Sequence, residues 1–244
     1  MIPPHPEEGR RPVSKGPCFF SILMTASVSP GARHAAFGHG DMGPCSYIQA
    51  MAPVNLRPSE EFEFANGSGA VLLIACGALA REIVELIEKN RWDGFDVTCL
   101  PAKWHNTPRL IPEGVRQKIR AARGRYRKIF VLYGDCGTGG LLDKVLQEEG
   151  VERIDGPHCY AFFSGNAAFA AKAEDEVTAF YLTDYLARHF DKLVWEGLGI
   201  DDHPELLPLY FGNYTRIIYL AQTRDPTLQM KARAAAAKLG LAYE

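Results

Sequence analysis

From Ala70 to the C-terminus, apolar residues come in short continuous runs that alternate with stretches of helical spacing. Ala70-Val71-Leu72-Leu73-Ile74-Ala75 is unbroken, the pattern of a strand buried on both faces. Gly77 interrupts it, and Leu79, Ile83, Leu86 and Ile87 then recur at the spacing of a helix over Ala78–Lys89. Asp96–Leu100 reads as a second strand, and Pro112–Arg123 as a basic amphipathic helix with Val115 and Ile119 inward. Lys128–Tyr133 is a third strand, Gly139–Glu149 a helix ended by Gly150, and Val151–Ile154 a short fourth strand. Thr178–Trp195 carries Phe180, Tyr181, Leu182, Tyr185, Leu186, Phe190 and Val194 and predicts a helix. Arg216–Ala221 is another buried strand, Pro226–Leu239 an alanine-rich helix, and Ala242-Tyr243 a closing strand.

Strands alternating with helices imply parallel pairing through right-handed crossovers. The expected fold is α/β: a doubly wound, mostly parallel sheet of about five strands with helices on both faces, a Rossmann-like three-layer arrangement. Residues 70–244 are expected to form it as one domain. Met1–Gly69 follows different rules. It is rich in Pro, Gly and Ser, and no periodicity lasts. Its apolar run Cys18–Met24 follows Arg10, Arg11 and Lys15, but it is short, and no small-residue cleavage site follows. The segment is read as a disordered extension or a mis-assigned start, with Met51 as the candidate start. His5, His34, His39, Cys18 and Cys45 fall within it and are assigned no chemistry.

Composition narrows the classes. The chain has 244 residues, 47% of them hydrophobic, and a formal net charge of -2. That balance gives no basic footprint, so nucleic acid is not an expected partner. No apolar run reaches the roughly 18 residues of a membrane span. The six cysteines include no CxxC pair. A chain of this size buries a core without staples, so free thiols in a reducing cytoplasm fit better than a disulfide framework.

In parallel sheets, ligands bind beyond the carboxyl ends of the strands. Cys76 ends the first strand, and Lys103, His105 and Asn106 follow the second. The third runs into Gly134-Asp135-Cys136-Gly137-Thr138-Gly139-Gly140, and the fourth leads to Gly156-Pro157-His158-Cys159-Tyr160. Gln222 and Thr223 follow the late strand. Any one of these cysteines is as readily a small buried apolar residue, the reading given to Cys99, and His189 and His203 are read as ordinary surface or core groups. The coincidence at several strand ends is what points to chemistry. The glycines around Cys136 permit close backbone approach, and a helix N-terminus there offers free N–H groups to a thiolate, a phosphate or a carboxylate. Gly137, Thr138, Gly139 and Gly140 are therefore ligand-binding candidates. No Lys-Ser/Thr follows the glycines, so this is not a P-loop.

Thiolate and imidazole together suit zinc or iron. Cys76, Cys136, Cys159 and either His105 or His158 would supply the ligands. Neighbours on an extended chain point apart, so only one of His158 and Cys159 is expected to reach a given metal.

Taken together, Ile74-Ala75-Cys76-Gly77-Ala78-Leu79, His105-Asn106, Tyr133–Gly140, Gly156–Tyr160, Phe180-Tyr181-Leu182-Thr183-Asp184 and Tyr219–Thr223 resemble a bacterial and archaeal family, the domain of unknown function family 1638. The resemblance covers Val71–Glu244. It implies an α/β fold and an association with corrinoid-dependent methyl-transfer systems. On that footing, a zinc or iron held by Cys76, Cys136 and Cys159 (or His158) would hold a substrate thiol ready to accept a methyl group. Asp184, Gln222 and Asn106 would position that substrate, with Tyr160 alongside. Two other classes stand beside this metal-dependent enzyme. One is a metal-free enzyme with Cys136 as nucleophile and His105 or His158 as base. The other is a module that binds an anionic small molecule or a corrinoid, or docks to a methyltransferase.

Overall fold

The computed structural model describes residues 57–65 and 70–244. Cys18, Cys45, Met51, His5, His34 and His39 lie outside the described residues. The architecture is mixed α/β with two sheets. The larger has five strands: β1 (Phe62–Phe64), β2 (Val71–Cys76), β3 (Phe95–Leu100), β4 (Lys128–Leu132) and β5 (Glu152–Arg153), in the order β1-β3-β2-β4-β5. β2, β3, β4 and β5 run parallel, and β1 is an antiparallel edge strand on β3, with Phe62 opposite Cys99. That edge strand lies on the N-terminal side of the boundary expected at residue 70.

β2 is central, and all six of its residues are buried, as its unbroken apolar run requires. From it the chain passes first to β3 on one side and then to β4 on the other. The strand order therefore reverses between β2 and β4, the place where such sheets leave a crevice at their carboxyl ends. The register sets Cys76 opposite Leu100 and Ala75 opposite Leu132, so these strands end nearly level.

The helices follow their apolar stripes. α1 (Ala80–Lys89) buries Ala80, Ile83, Val84 and Ile87 and turns an Arg81–Glu85–Lys89 ladder outward. α2 (Leu110–Ala122) begins two residues before the expected start. Pro112 falls in its first turn, where an amide N–H has no helical partner to lose. α3 (Leu141–Glu149) stops at Gly150 in the left-handed conformation, φ 64°. The basic residues of α2 have a structural use. Arg116, Arg120 and Arg123 all meet Glu149 of α3, and they hold its carboxyl down at about 2, Arg123 contributing most.

The chain beyond Gly156 departs from expectation. After the short helices α4 (Ala161–Ser164) and α5 (Asn166–Ala171), residues Ala179–Thr183 form a strand, β6, rather than the start of a long helix. Apolar residues at 180, 181, 182, 185 and 186 satisfy both periods over so short a run. Thr183 decides the boundary: its Oγ1 accepts the Leu186 N–H at 3.2 Å, capping α6 (Asp184–Arg188). A π-helical turn, Asp191–Trp195, follows, and then the short helix α7 (Leu207–Phe211). β7 (Arg216–Leu220) pairs with β6, not with the large sheet, and with β8 (Ala242–Tyr243) completes a second, parallel three-stranded sheet. α8 (Pro226–Leu239) connects the last two strands, capped by Asp225 Oδ1 on Thr227 N–H at 2.8 Å. The single sheet containing Arg216–Ala221 is thus replaced by two sheets, because β6 gives β7 a partner of its own. One hydrophobic cluster runs through both, from Leu73 and Ile74 to Leu182 and Ile217. Among the described residues, no helix is long and apolar enough to cross a membrane.

Candidate functional site

Two loops at the carboxyl end of the large sheet are stitched together through main chain. Asp135 N–H donates to Gly156 O at 3.2 Å and Cys136 N–H to Pro157 O at 3.1 Å. Gly134 makes this approach possible, since a Cβ there would lie 2.8 Å from the His158 carbonyl carbon. The stitching brings Cys136 Sγ and Cys159 Sγ to 3.0 Å, both side chains buried. Cys136 is a non-glycine residue at φ 48°, a strained conformation that the surrounding loop must impose.

The third partner comes from the 3-10 turn after β3. His105, Cys136 and Cys159 each offer one ligand atom, and the three atoms lie within 4.8 Å of one another. His105 Nδ1 sits 3.1 Å from Ala102 O and 3.7 Å from Cys76 Sγ. A carbonyl only accepts, so Nδ1 carries a proton and Nε2 is the nitrogen left to act as a ligand. Tyr133, fully buried at the end of β4, stacks beside His105 with ring centroids 6.2 Å apart.

The electrostatics divide the pair of thiols. The hydrogen bond from Cys159 is the largest cause that draws the Cys136 thiol down to about 4. His105 and His158 add to it and outweigh burial. Cys159 is pushed well up by holding that proton and by burial. His105 is raised well above its ordinary value: burial opposes its charge, but the sulfurs of Cys76 and Cys136 prevail. Burial lowers His158. These influences favour a thiolate at Cys136 beside a charged His105, with the shared proton on Cys159.

The remaining expected residues divide between this centre and other places. Cys76 stands beside His105, but its sulfur accepts the Ala78 N–H at 3.3 Å, and it is not one of the three mutually close ligands. Of the neighbours His158 and Cys159, the cysteine joins the cluster. His158 instead accepts the Tyr160 N–H on Nδ1 at 3.2 Å and packs at a tilt against the Tyr160 ring, centroids 4.2 Å apart. Of the expected ligands, Cys76, Cys136, Cys159 and either His105 or His158, the three whose ligand atoms lie mutually close are His105, Cys136 and Cys159. Asn106 reaches across to a different layer, donating Nδ2–H to Leu193 O at 2.8 Å and to Gly197 O at 3.2 Å.

The glycine loop does not cradle an anion. Asp135 already takes its donors: Oδ1 accepts Thr138 Oγ1–H at 2.8 Å and Gly140 N–H at 2.9 Å, and Oδ2 accepts Gly139 N–H at 3.2 Å. Gly137 adds a further amide, and together these outweigh burial to lower the Asp135 carboxyl. Asp184 and Gln222 lie at the carboxyl end of the second sheet. Asp184 is buried and accepts from Tyr219 Oη–H at 2.6 Å, Gln222 N–H at 3.2 Å and Thr223 Oγ1–H at 2.5 Å. Gln222 Oε1 accepts the Asp184 N–H at 2.7 Å. Neither lines the cavity above the cysteines.

That cavity holds about 220 Å³. Cys76, His105, Asn106, Cys136, Cys159 and Tyr160 form its polar end. Its opposite wall is apolar and comes largely from the second layer: Phe180, Leu193, Val194, Leu198 and Phe211. Sequence reasoning missed this wall and Tyr133. Apolar residues on helical segments carry no signal that separates a chamber wall from ordinary core.

The family model described as "Protein of unknown function (DUF1638)" matches residues 99–244. The chain belongs to that family. All three close ligands of this DUF1638 protein fall inside the matched span, whereas Cys76 precedes it. No curated protein and no solved structure is similar enough to this DUF1638 chain to match it.

Proposed function

We propose that this DUF1638 protein is a metal-dependent enzyme of one-carbon or sulfur metabolism that carries zinc or iron on His105, Cys136 and Cys159. The observation that carries the reading is the three ligand atoms within 4.8 Å of one another at the floor of a largely apolar cavity. Two soft sulfurs and an imidazole suit zinc or iron, and three protein ligands are the set that leaves a fourth position open in catalytic sites. His105 fits a ligand's role, because its Nδ1 proton is held by Ala102 O, the outer contact that orients a ligating imidazole. A bound ion would supply a Lewis acid able to hold a thiol or water as its anion near neutral pH.

The reaction class we infer is methyl transfer to a thiol. The sulfur lone pair forms the new C–S bond, and the bond from methyl to its donor breaks with the electron pair leaving on the donor. A methylcorrinoid carried by a partner protein is the donor class in keeping with the family resemblance. The chain's own residues orient and shield. Asn106 fixes the roof to the floor, Phe180 and Phe211 exclude water, and His158, kept neutral by burial with Nδ1 taken by the Tyr160 N–H, offers an Nε2–H donor beside Cys136. Elemental analysis of untagged protein tests the proposal. About one zinc or iron per chain is expected, lost in Cys136→Ser and Cys159→Ser and kept in Cys99→Ser. Fully active protein without metal would overturn it.

One observation favours a second reading. The Cys136–Cys159 separation of 3.0 Å is shorter than the about 3.8 Å between two thiolates sharing a tetrahedral ion with bonds near 2.3 Å. It is the spacing of a hydrogen-bonded thiol and thiolate, which suits Cys136 as a metal-free nucleophile with His105 as its cationic partner. Iodoacetamide at neutral pH then labels Cys136 far ahead of Cys99. Equal rates rule this reading out.

A further inference from the structure

Charge is distributed unevenly around the centre. None of the described side chains lining the cavity above Cys136 is Asp, Glu, Lys or Arg. Leu79 and Phe163 separate it from a neighbouring cavity that is lined by Arg81, Glu82, Glu85 and Lys89. The charged groups of this region thus stand behind the wall, not in the chamber. Beyond the sulfurs and imidazoles, the chamber's polar groups are only the Asn106 amide and the Tyr160, Thr183 and Tyr185 hydroxyls. Asn106 is spent on Leu193 O and Gly197 O, and the Asp135 loop is closed on itself. A carboxylate, sulfonate or ammonium carried in would find no Lys, Arg, Asp or Glu to pair with, the His105 imidazole being already matched by the Cys136 sulfur, and an unpaired charge in such a place is strongly disfavoured. The volume, about 220 Å³, lies between the roughly 150 Å³ of a cavity that admits benzene and the roughly 300 Å³ at which pockets for larger ligands begin, too little for a nucleotide or a macrocycle.

We propose that the chamber's occupant is a small uncharged thiol with an apolar body, an alkanethiol or a simple arenethiol, and not a thiol bearing a carboxylate, sulfonate or ammonium. The inference rests on the reading of the centre as a thiol-binding site and adds the substrate's chemical class. The sulfur faces His105, Cys136 and Cys159, while the carbon body lies on Leu193, Val194, Phe180 and Phe211. A large methyl donor stays outside and meets the sulfur at the chamber's mouth.

Calorimetric titration of the protein as purified tests this with 1-propanethiol, 1-butanethiol, 3-mercaptopropionate and 2-mercaptoethanesulfonate, and with 1-butanol and butyrate as sulfur-free probes. Butanethiol is expected to bind about fourfold tighter than propanethiol, the worth of one buried methylene. The charged thiols are expected at least tenfold weaker. Leu198→Lys, which sets an ammonium at the half-buried edge of the wall, is expected to gain at least tenfold for 3-mercaptopropionate. Charged thiols binding as well as neutral ones would overturn the inference, as would butyrate matching butanol. If metal is absent while butanol still outbinds butyrate, the uncharged chamber stands and the metal reading falls. If metal is present and neutral probes are not preferred, the metal reading stands and the uncharged chamber falls.

Discussion

Gly134→Ala is the substitution that most directly probes how the two cysteines are held. The new Cβ would meet the His158 backbone at 2.8–2.9 Å, against a near limit of 3.4 Å for ordinary contact. The obstacle is main chain and cannot rotate away, so the His158–Cys159 segment must retreat by about 0.6 Å. The Gly134 amide also reaches the Cys159 sulfur and helps to fix it. Overpacking of this kind costs about 2 kcal/mol, or about 4–8 °C in Tm for a chain of this size. The same retreat exceeds the about 0.2 Å within which ligand distances of a metal site hold. Metal affinity, read by competition with a chromophoric chelator, is therefore expected to fall about tenfold or more, as when outer contacts of metal ligands are lost. A variant that melts within about 1 °C of the parent and holds metal equally well would refute the argument that Gly134 sets the distance between the cysteines.

Other outcomes follow from the same geometry. Asp184→Asn puts an amide among three donors at a buried acceptor and should cost about 2–3 kcal/mol in chemical denaturation. Metal content and Cys136 alkylation should stay unchanged, and a change in either would return Asp184 to the centre. In metal-free protein, iodoacetamide should label Cys136 at a rate nearly flat from about pH 8 to pH 5, because its thiol is drawn down to about 4. An ordinary thiol, with a pKa of about 8.5, slows about tenfold per unit over that range, and such a slope at Cys136 would show that Cys159 and His105 do not hold the thiolate. Asp135 has a lowered folded-state pKa, so its contribution is present above the unfolded value, 3.8, and is lost as pH falls through the lower folded one. Asp135→Asn should therefore lower stability by about 1 kcal/mol near neutrality and flatten the acid limb of the stability curve below about pH 4. An acid limb as steep as the parent's would show that the Gly139 and Gly140 amides are not its partners.

Cys136 was legible because a buried apolar strand ran straight into glycines, and His105 because it followed the next strand over; both signals are local. The choice between His158 and Cys159 was not. Both neighbours line the chamber, and which of them joins the ligand cluster depends on the tight turn that gives the His158 ring to the Tyr160 N–H. Asp184 and Gln222 were drawn toward the cysteines by the family resemblance and by assigning Arg216–Ala221 to the same sheet, with Ala179–Thr183 read as helix. Once it pairs with β7, both residues belong to the end of a different sheet. The glycine loop looked like an anion cradle for a similar reason. Sequence displays the glycines but not the carboxylate of Asp135 folding back over their amides.

The π-helical turn at Asp191–Trp195 has an evolutionary consequence. Such a turn is an α-helix carrying one residue too many, and here Leu193 and Val194 of that turn both face the chamber while Leu193 O meets Asn106. Losing one residue would restore regular winding within this turn and leave the flanking segments near their present places. The change would fall on Leu193 and Val194, one of which would turn off the wall, and on the Leu193 carbonyl that meets Asn106. Single-codon gain or loss at this turn, with every chamber residue retained, is thus a route by which descendants of this chain can change what the chamber admits.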